Sequence, residues 1–180
     1  MIMSEKRMDK AKRAYDIAFK YESEYGSCSQ CTIRALQEVY KEENDDYFQA
    51  LGGYAGGGGL EADGICGAYA AGIFYIGTKH GRRFEDIGKD PDDLKASKKS
   101  RKQKILVKKL HDKFIESYGT VICSGIQRKL YGRPYYLADR DELKKFYEAG
   151  GHSWGCTSVC GNSAKWTVEI MEEEKTSDAW

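Results

Sequence analysis

Only two prolines, Pro91 and Pro134, occur in 180 residues, and between glycine-rich breaks the apolar residues return every three or four positions. Proline removes a backbone donor and clashes inside a helix, so a chain this poor in proline leaves long helices uninterrupted. A repeat near 3.6 then selects helix over strand. The expected fold is all-α, a single-domain multi-helix bundle over residues 1–180 with glycine-rich connections. Its length is enough to bury a core without disulfide support.

A first helix is predicted over about Glu5 to Tyr25, directing Met8, Ala11, Ala14, Tyr15, Ile17, Ala18 and Tyr21 inward and stopping at Gly26. Ser27 is expected to cap a second, about Cys28 to Tyr40, with Ile33, Leu36, Val39 and Tyr40 inward. A short third, about Tyr47 to Tyr54, runs into Gly56, Gly57, Gly58 and Gly59, where positive φ is accessible and backbone N–H groups can approach a partner. In a fourth, about Gly64 to Lys79, the small residues Gly67, Ala68, Ala70, Ala71 and Gly72 admit a close neighbour.

Arg82 to Lys104 reads as a charged, solvated loop and helix start, with Lys98, Lys99, Arg101, Lys102 and Lys104 clustered. The fifth helix, about Ser97 to Tyr118, turns Ile105, Leu106, Leu110, Phe114 and Ile115 inward. A short segment runs from Cys123 to Tyr131. Asp139 should cap a helix over about Arg140 to Ala149, with Glu142 completing a capping box. The last helix, about Cys156 to Glu173, carries Val159, Ala164, Trp166, Val168 and Ile170.

The six cysteines fall mostly at the starts of these helices. Unsatisfied N–H groups there carry partial positive charge, which favours thiolate over thiol and makes a better nucleophile or metal ligand. Cys28 and Cys31 are three apart and Cys156 and Cys160 four apart, so each pair shares a helix face. Such spacing serves dithiol redox centres, zinc and iron–sulfur clusters alike. Thr32 stands where covalent haem attachment requires histidine.

Basic and acidic residues number 29 and 28, for a formal charge of +1. No global field therefore points to nucleic acid or anionic membrane, and a small-molecule or protein redox partner is expected. Residues Met1 to Tyr25 lack the apolar core of a secretory signal, and Ile65 to Ile76 is too short to span a bilayer. A cytoplasmic protein is expected, and in a reducing compartment its thiols would be catalytic, metal-binding or redox-sensing.

The arrangement resembles the C_GCAxxG_C_C family of redox-active proteins, over about Tyr25 to Met171. Cys28-Ser29-Gln30 is similar to its first cysteine motif, Gly52 to Gly59 to its glycine-rich lead, and Cys66-Gly67-Ala68 to its central signature. Cys123 is similar to its third cysteine, and Cys156 with Val159, Gly161, Ala164 and Trp166 to its fourth. The glycine that the family places near Ala71 stands here at Gly72, and Cys31 and Cys160 add to the four-cysteine pattern. The resemblance implies redox activity as a class, without a defined reaction. The family is related to a cytochrome with added haem motifs, which this chain lacks.

Two mechanisms follow for the same residues. In the first, Cys66 is the attacking thiolate, Cys28 or Cys156 the resolving partner and Cys123 a further member of a dithiol/disulfide site. In the second, Cys28, Cys31, Cys66, Cys123, Cys156 and Cys160 supply ligands for an iron–sulfur cluster, with zinc ranked behind it and covalent haem not expected. Gly57, Gly58, Gly59 and Gly67 are candidates to contact a cofactor through backbone, although the run lacks the Lys-Ser/Thr ending of a phosphate loop. Tyr69, one turn beyond Cys66, and His152, just before Cys156, are candidates to line the site. A third reading is a non-enzymatic binding module using the basic loop and a glycine-lined groove. Helices rich in small residues also admit a symmetric homodimer.

Overall fold

A computed structural model describes residues 5–87 and 94–176. The side chains of Lys6, residues 94–99 and Thr176 fall outside that description, and with them Pro91, Lys98 and Lys99 of the predicted charged loop. Among the described residues eight α-helices follow in order: α1 Glu5–Tyr25, α2 Cys28–Tyr40, α3 Asp45–Leu51, α4 Gly67–His80, α5 Leu94–Tyr118, α6 Cys123–Tyr131, α7 Arg140–Glu148 and α8 Cys156–Thr176. A 3-10 turn, Gly52–Gly57, follows α3, and a π turn, Gly151–Gly155, leads into α8. The described residues contain no strand, and the all-α expectation holds. No described helix is long and apolar enough to cross a membrane.

α1 lies along α8 and α2, while α4 is surrounded by α2, α5 and α8. The small residues of α4 permit this. A Cβ on Gly72 would lie 2.6 Å from Leu110 of α5 and 2.8 Å from Thr167 of α8, so three helices meet at one hydrogen atom. Ala68 and Ala71 are fully buried beside it. The Ser163 hydroxyl of α8 donates to the Ala68 carbonyl at 2.7 Å, satisfying a polar group that this close approach hides from water.

Several local expectations give way to particular contacts. Ser27 makes no side-chain cap on α2; its φ of +69° turns the chain sharply, and its hydroxyl donates to Gln30 Oε1 at 2.8 Å. Asn44 caps α3 by accepting from the Tyr47 N–H, starting that helix two residues early. Asp139 caps α7 as expected, but the Glu142 carboxylate reaches Arg133 and Lys145 rather than closing a capping box. Met8 and Ile115 face solvent, whereas Leu106, Leu110 and Phe114 form the inward stripe of α5.

Candidate functional site

The placement of the thiols begins with backbone. Ile65 and Ile122 form an isolated antiparallel bridge, tightened by Cys66 N–H to the Val121 carbonyl (2.8 Å), Cys123 N–H to the Gly64 carbonyl (3.0 Å) and Ser124 N–H to the Ala62 carbonyl (2.8 Å). This clasp fixes the start of α4 beside the start of α6. The starts of α2 and α8 face the same space. Cys28, Cys66, Cys123, Cys156 and Cys160, from four helices, therefore line one cavity of about 390 Å³. All six cysteines are free thiols, with Cys31, Cys66, Cys123 and Cys160 buried and Cys28 and Cys156 half-buried.

Glycines make the approach possible. A Cβ on Gly67 would lie 2.5 Å from the Cys28 sulfur, so the first residue of α4 is the seat of that thiol. Gly57, at φ +84°, is the seat of Cys123, whose Cβ would stand 2.8 Å from an added methyl. The Gly58 and Gly59 N–H groups are taken by the Tyr54 and Gly53 carbonyls, and the Gly57 carbonyl accepts from Gly64. The run closes on itself and packs around sulfur; the Gly56 N–H points at Cys28.

Hydrogen bonding sorts the thiols into two kinds. Four sulfurs face donors: Cys28 the N–H groups of Gly56 and Ser29, Cys66 those of Ala68 and Tyr69, Cys123 the Gln127 amide at 3.4 Å, and Cys156 the Tyr131 hydroxyl at 3.6 Å. Both side-chain donors are oriented by a second contact. Gln127 Oε1 accepts from the Tyr135 N–H at 2.6 Å, which turns its NH₂ toward Cys123, and Tyr131 Oη accepts from the Cys156 N–H at 2.8 Å, which turns its proton toward the sulfur. Cys31 and Cys160 do the opposite. Their S–H groups donate to the carbonyls of Gly26 (2.8 Å) and Cys28 (3.7 Å).

Burial nonetheless dominates the protonation of these thiols. It pushes Cys66 and Cys123 up to about 12, against the backbone donors of the first and the Gln127 amide of the second. Burial also raises Cys28, Cys31, Cys156 and Cys160, with Glu22 adding to the effect at Cys28, Cys31 and Cys160 and neighbouring thiols at Cys156. The acidic thiol expected from helix position alone is thus reversed, because desolvation outweighs the helix-start field. Among the described residues no three His, Cys, Asp or Glu side chains are arranged to hold a metal ion. The thiols share a cavity as placed, without forming a metal centre.

His152 lines this cavity, but Tyr69 does not; its ring packs against Phe114 and lines a separate groove. Three residues escaped the sequence reading. Gln127 and Tyr131 follow Cys123 at four and eight residues on α6, a helical spacing that points them toward the same end of the fold. Glu22 is 3 % exposed and lines the cavity, and burial raises its carboxyl to about 8, partly offset by the Cys31 thiol. Its signal was available: Ala11, Ala14 and Ala18 form the buried stripe of α1, and Glu22 is the next position on it.

Comparison with curated proteins and with solved structures gives no match. A protein-family model described as "Putative redox-active protein (C_GCAxxG_C_C)" matches residues 26–170, which takes in every cysteine, the glycine run and the clasp. The chain belongs to the C_GCAxxG_C_C family.

Proposed function

We propose that this protein is a redox protein whose centre is the group Cys28, Cys66, Cys123 and Cys156, working by thiol/disulfide exchange with a small-molecule or protein partner in a reducing compartment such as the cytoplasm. The observation that carries the reading is the sorting of sulfurs. Four thiols from distant segments line one cavity and each faces a hydrogen-bond donor, the arrangement that stabilises sulfur as it becomes anionic. Cys31 and Cys160, spent on carbonyls, are outside the centre.

Cys66 attacks. Its proton leaves to solvent, the N–H groups of Ala68 and Tyr69 hold the thiolate, and the thiolate displaces one sulfur of the partner disulfide as a thiolate. Cys28 resolves the mixed disulfide, because Gly67 holds its sulfur against the first turn of the helix that Cys66 begins. The balance is two protein thiols and one disulfide giving one protein disulfide and two small thiols, with both protons conserved. Cys66→Ser should abolish turnover of a disulfide substrate; unchanged turnover removes the mechanism.

The same four sulfurs equal in number the thiolates that ligate a common iron–sulfur cluster. Metal analysis and visible absorption of anaerobically purified protein separate the two. Full exchange activity in colourless, metal-free protein supports the exchange reading, and sulfur-to-iron bands with stoichiometric iron would replace it with electron transfer.

A further inference from the structure

One buried group in the cavity takes no part in the exchange steps. Glu22 projects from α1 into the space that the thiols line, and its Oε2 has no hydrogen-bond partner. The Cys31 thiol hydrogen-bonds this carboxyl, but its single proton is shared with the Gly26 carbonyl at 2.8 Å. Glu22 Oε1 lies 3.7 Å from His152 Nε2, but burial holds that imidazole below the ordinary histidine range, so it brings no positive charge. A buried carboxyl oxygen without a partner is costly, and a ligand that supplies a partner recovers that cost.

The surroundings of Glu22 say what kind of donor fits. His152 is wedged in place, 4.8 Å from the Tyr147 ring and edge-on to Phe146 at 5.7 Å, and a Cβ on Gly26 would come within 2.9 Å of it. Tyr25, Phe146 and Tyr147 line the same cavity. Burial keeps a proton on Glu22 at neutral pH; an ammonium group beside it favours the ionised form, the carboxyl proton leaves to solvent, and the carboxylate then gains charge-assisted hydrogen bonds while the cation meets the negative ring faces. Other donors, such as hydroxyls, would gain the hydrogen bond but not the attraction to the rings.

We propose that Glu22 is the ammonium-binding subsite of this cavity, and that the small molecules it admits are low-molecular-weight thiols and disulfides bearing an amine. The sulfur half of this statement rests on the exchange reading above; the amine half rests on Glu22 and the rings. A cavity of about 390 Å³ lies at the small end of ligand sites, which suits a molecule the size of cystamine. With the amine on Glu22, the disulfide reaches toward the thiols that share the cavity. Two protein thiols and one cystamine then give one protein disulfide and two cysteamines.

Hexamethylenediamine has the length of cystamine and no sulfur, so its binding is independent of the exchange chemistry. Calorimetry on the full-length protein should show it binding, with Glu22→Gln weakening it about ten- to a hundredfold. In the wild-type protein the diamine should slow iodoacetamide alkylation of Cys28, and the matching diol should not. Equal protection by diol and diamine, or equal diamine affinity in Glu22→Gln, overturns the subsite. If the diamine binds through Glu22 but cystamine leaves the protein thiols unoxidised, the subsite stands and the exchange reading falls.

Discussion

Gly57→Ala and Gly58→Ala separate the packing of Cys123 from backbone strain. Both glycines have positive φ, +84° and +90°, so any side chain at either position is strained by about 1–3 kcal/mol. Around Gly58 nothing lies within 4 Å of an added Cβ. Around Gly57 the Cβ would meet Cys123 Cβ at 2.8 Å and the Ala62 carbonyl carbon and Cα at 3.0 Å, atoms that no side-chain rotation can move. Overpacking of that kind adds about 1–3 kcal/mol. Gly57→Ala should therefore cost about 2–6 kcal/mol and Gly58→Ala about 1–3 kcal/mol. Urea unfolding at constant slope measures both, and the Cys123 alkylation rate should change in the first variant alone. Equal stability losses with equal Cys123 reactivity would refute the claim that Gly57 seats this thiol.

Tyr131→Phe removes both the acceptor for the Cys156 N–H and the donor to its sulfur; it should cost about 1–2 kcal/mol and slow Cys156 alkylation, read by thermal unfolding and mass spectrometry. Gln127→Leu strips the donor from Cys123 and leaves the buried Tyr135 N–H unpaired, for a loss of about 1–3 kcal/mol in urea unfolding. Glu22 binds its proton more tightly folded than unfolded, so its contribution is complete below the ordinary carboxylate range and is lost as pH rises through about 8. Unfolding free energy should accordingly fall between about pH 5 and 8, and Glu22→Gln should flatten that decline. Alkylation of Cys66 and Cys123 should climb about tenfold per pH unit with no plateau short of about 12, since only the thiolate reacts. A plateau near neutral pH would mean that the helix-start field outweighs burial after all.

The helices were legible because their stops and stripes are local. Gly26, Gly119 and Gly132 end α1, α5 and α6 with positive φ, and the spacing of Ala11, Ala14 and Ala18 alone identifies the buried face of α1. The position of cysteines at helix starts was equally local, and so was visible. Their convergence is expected from shared chemistry alone; what brings them together, the Ile65–Ile122 bridge between segments far apart in the chain, has no local signal, since neither segment carries a strand pattern. The protonation of the thiols lies beyond the sequence for the same reason: a helix start is set by neighbours in sequence, while desolvation comes from walls supplied by other helices. Glu22 shows the remedy, since a charged residue on an otherwise buried alanine stripe announces a polar group held inside.

Mapping the disulfides formed when the reduced, full-length protein is oxidised tests the central claim most directly. Peptide mass spectrometry should find bonds drawn from Cys28, Cys66, Cys123 and Cys156, with Cys31 and Cys160 still alkylatable as thiols. Bonds that pair Cys31 or Cys160 while those four stay reduced would contradict the account.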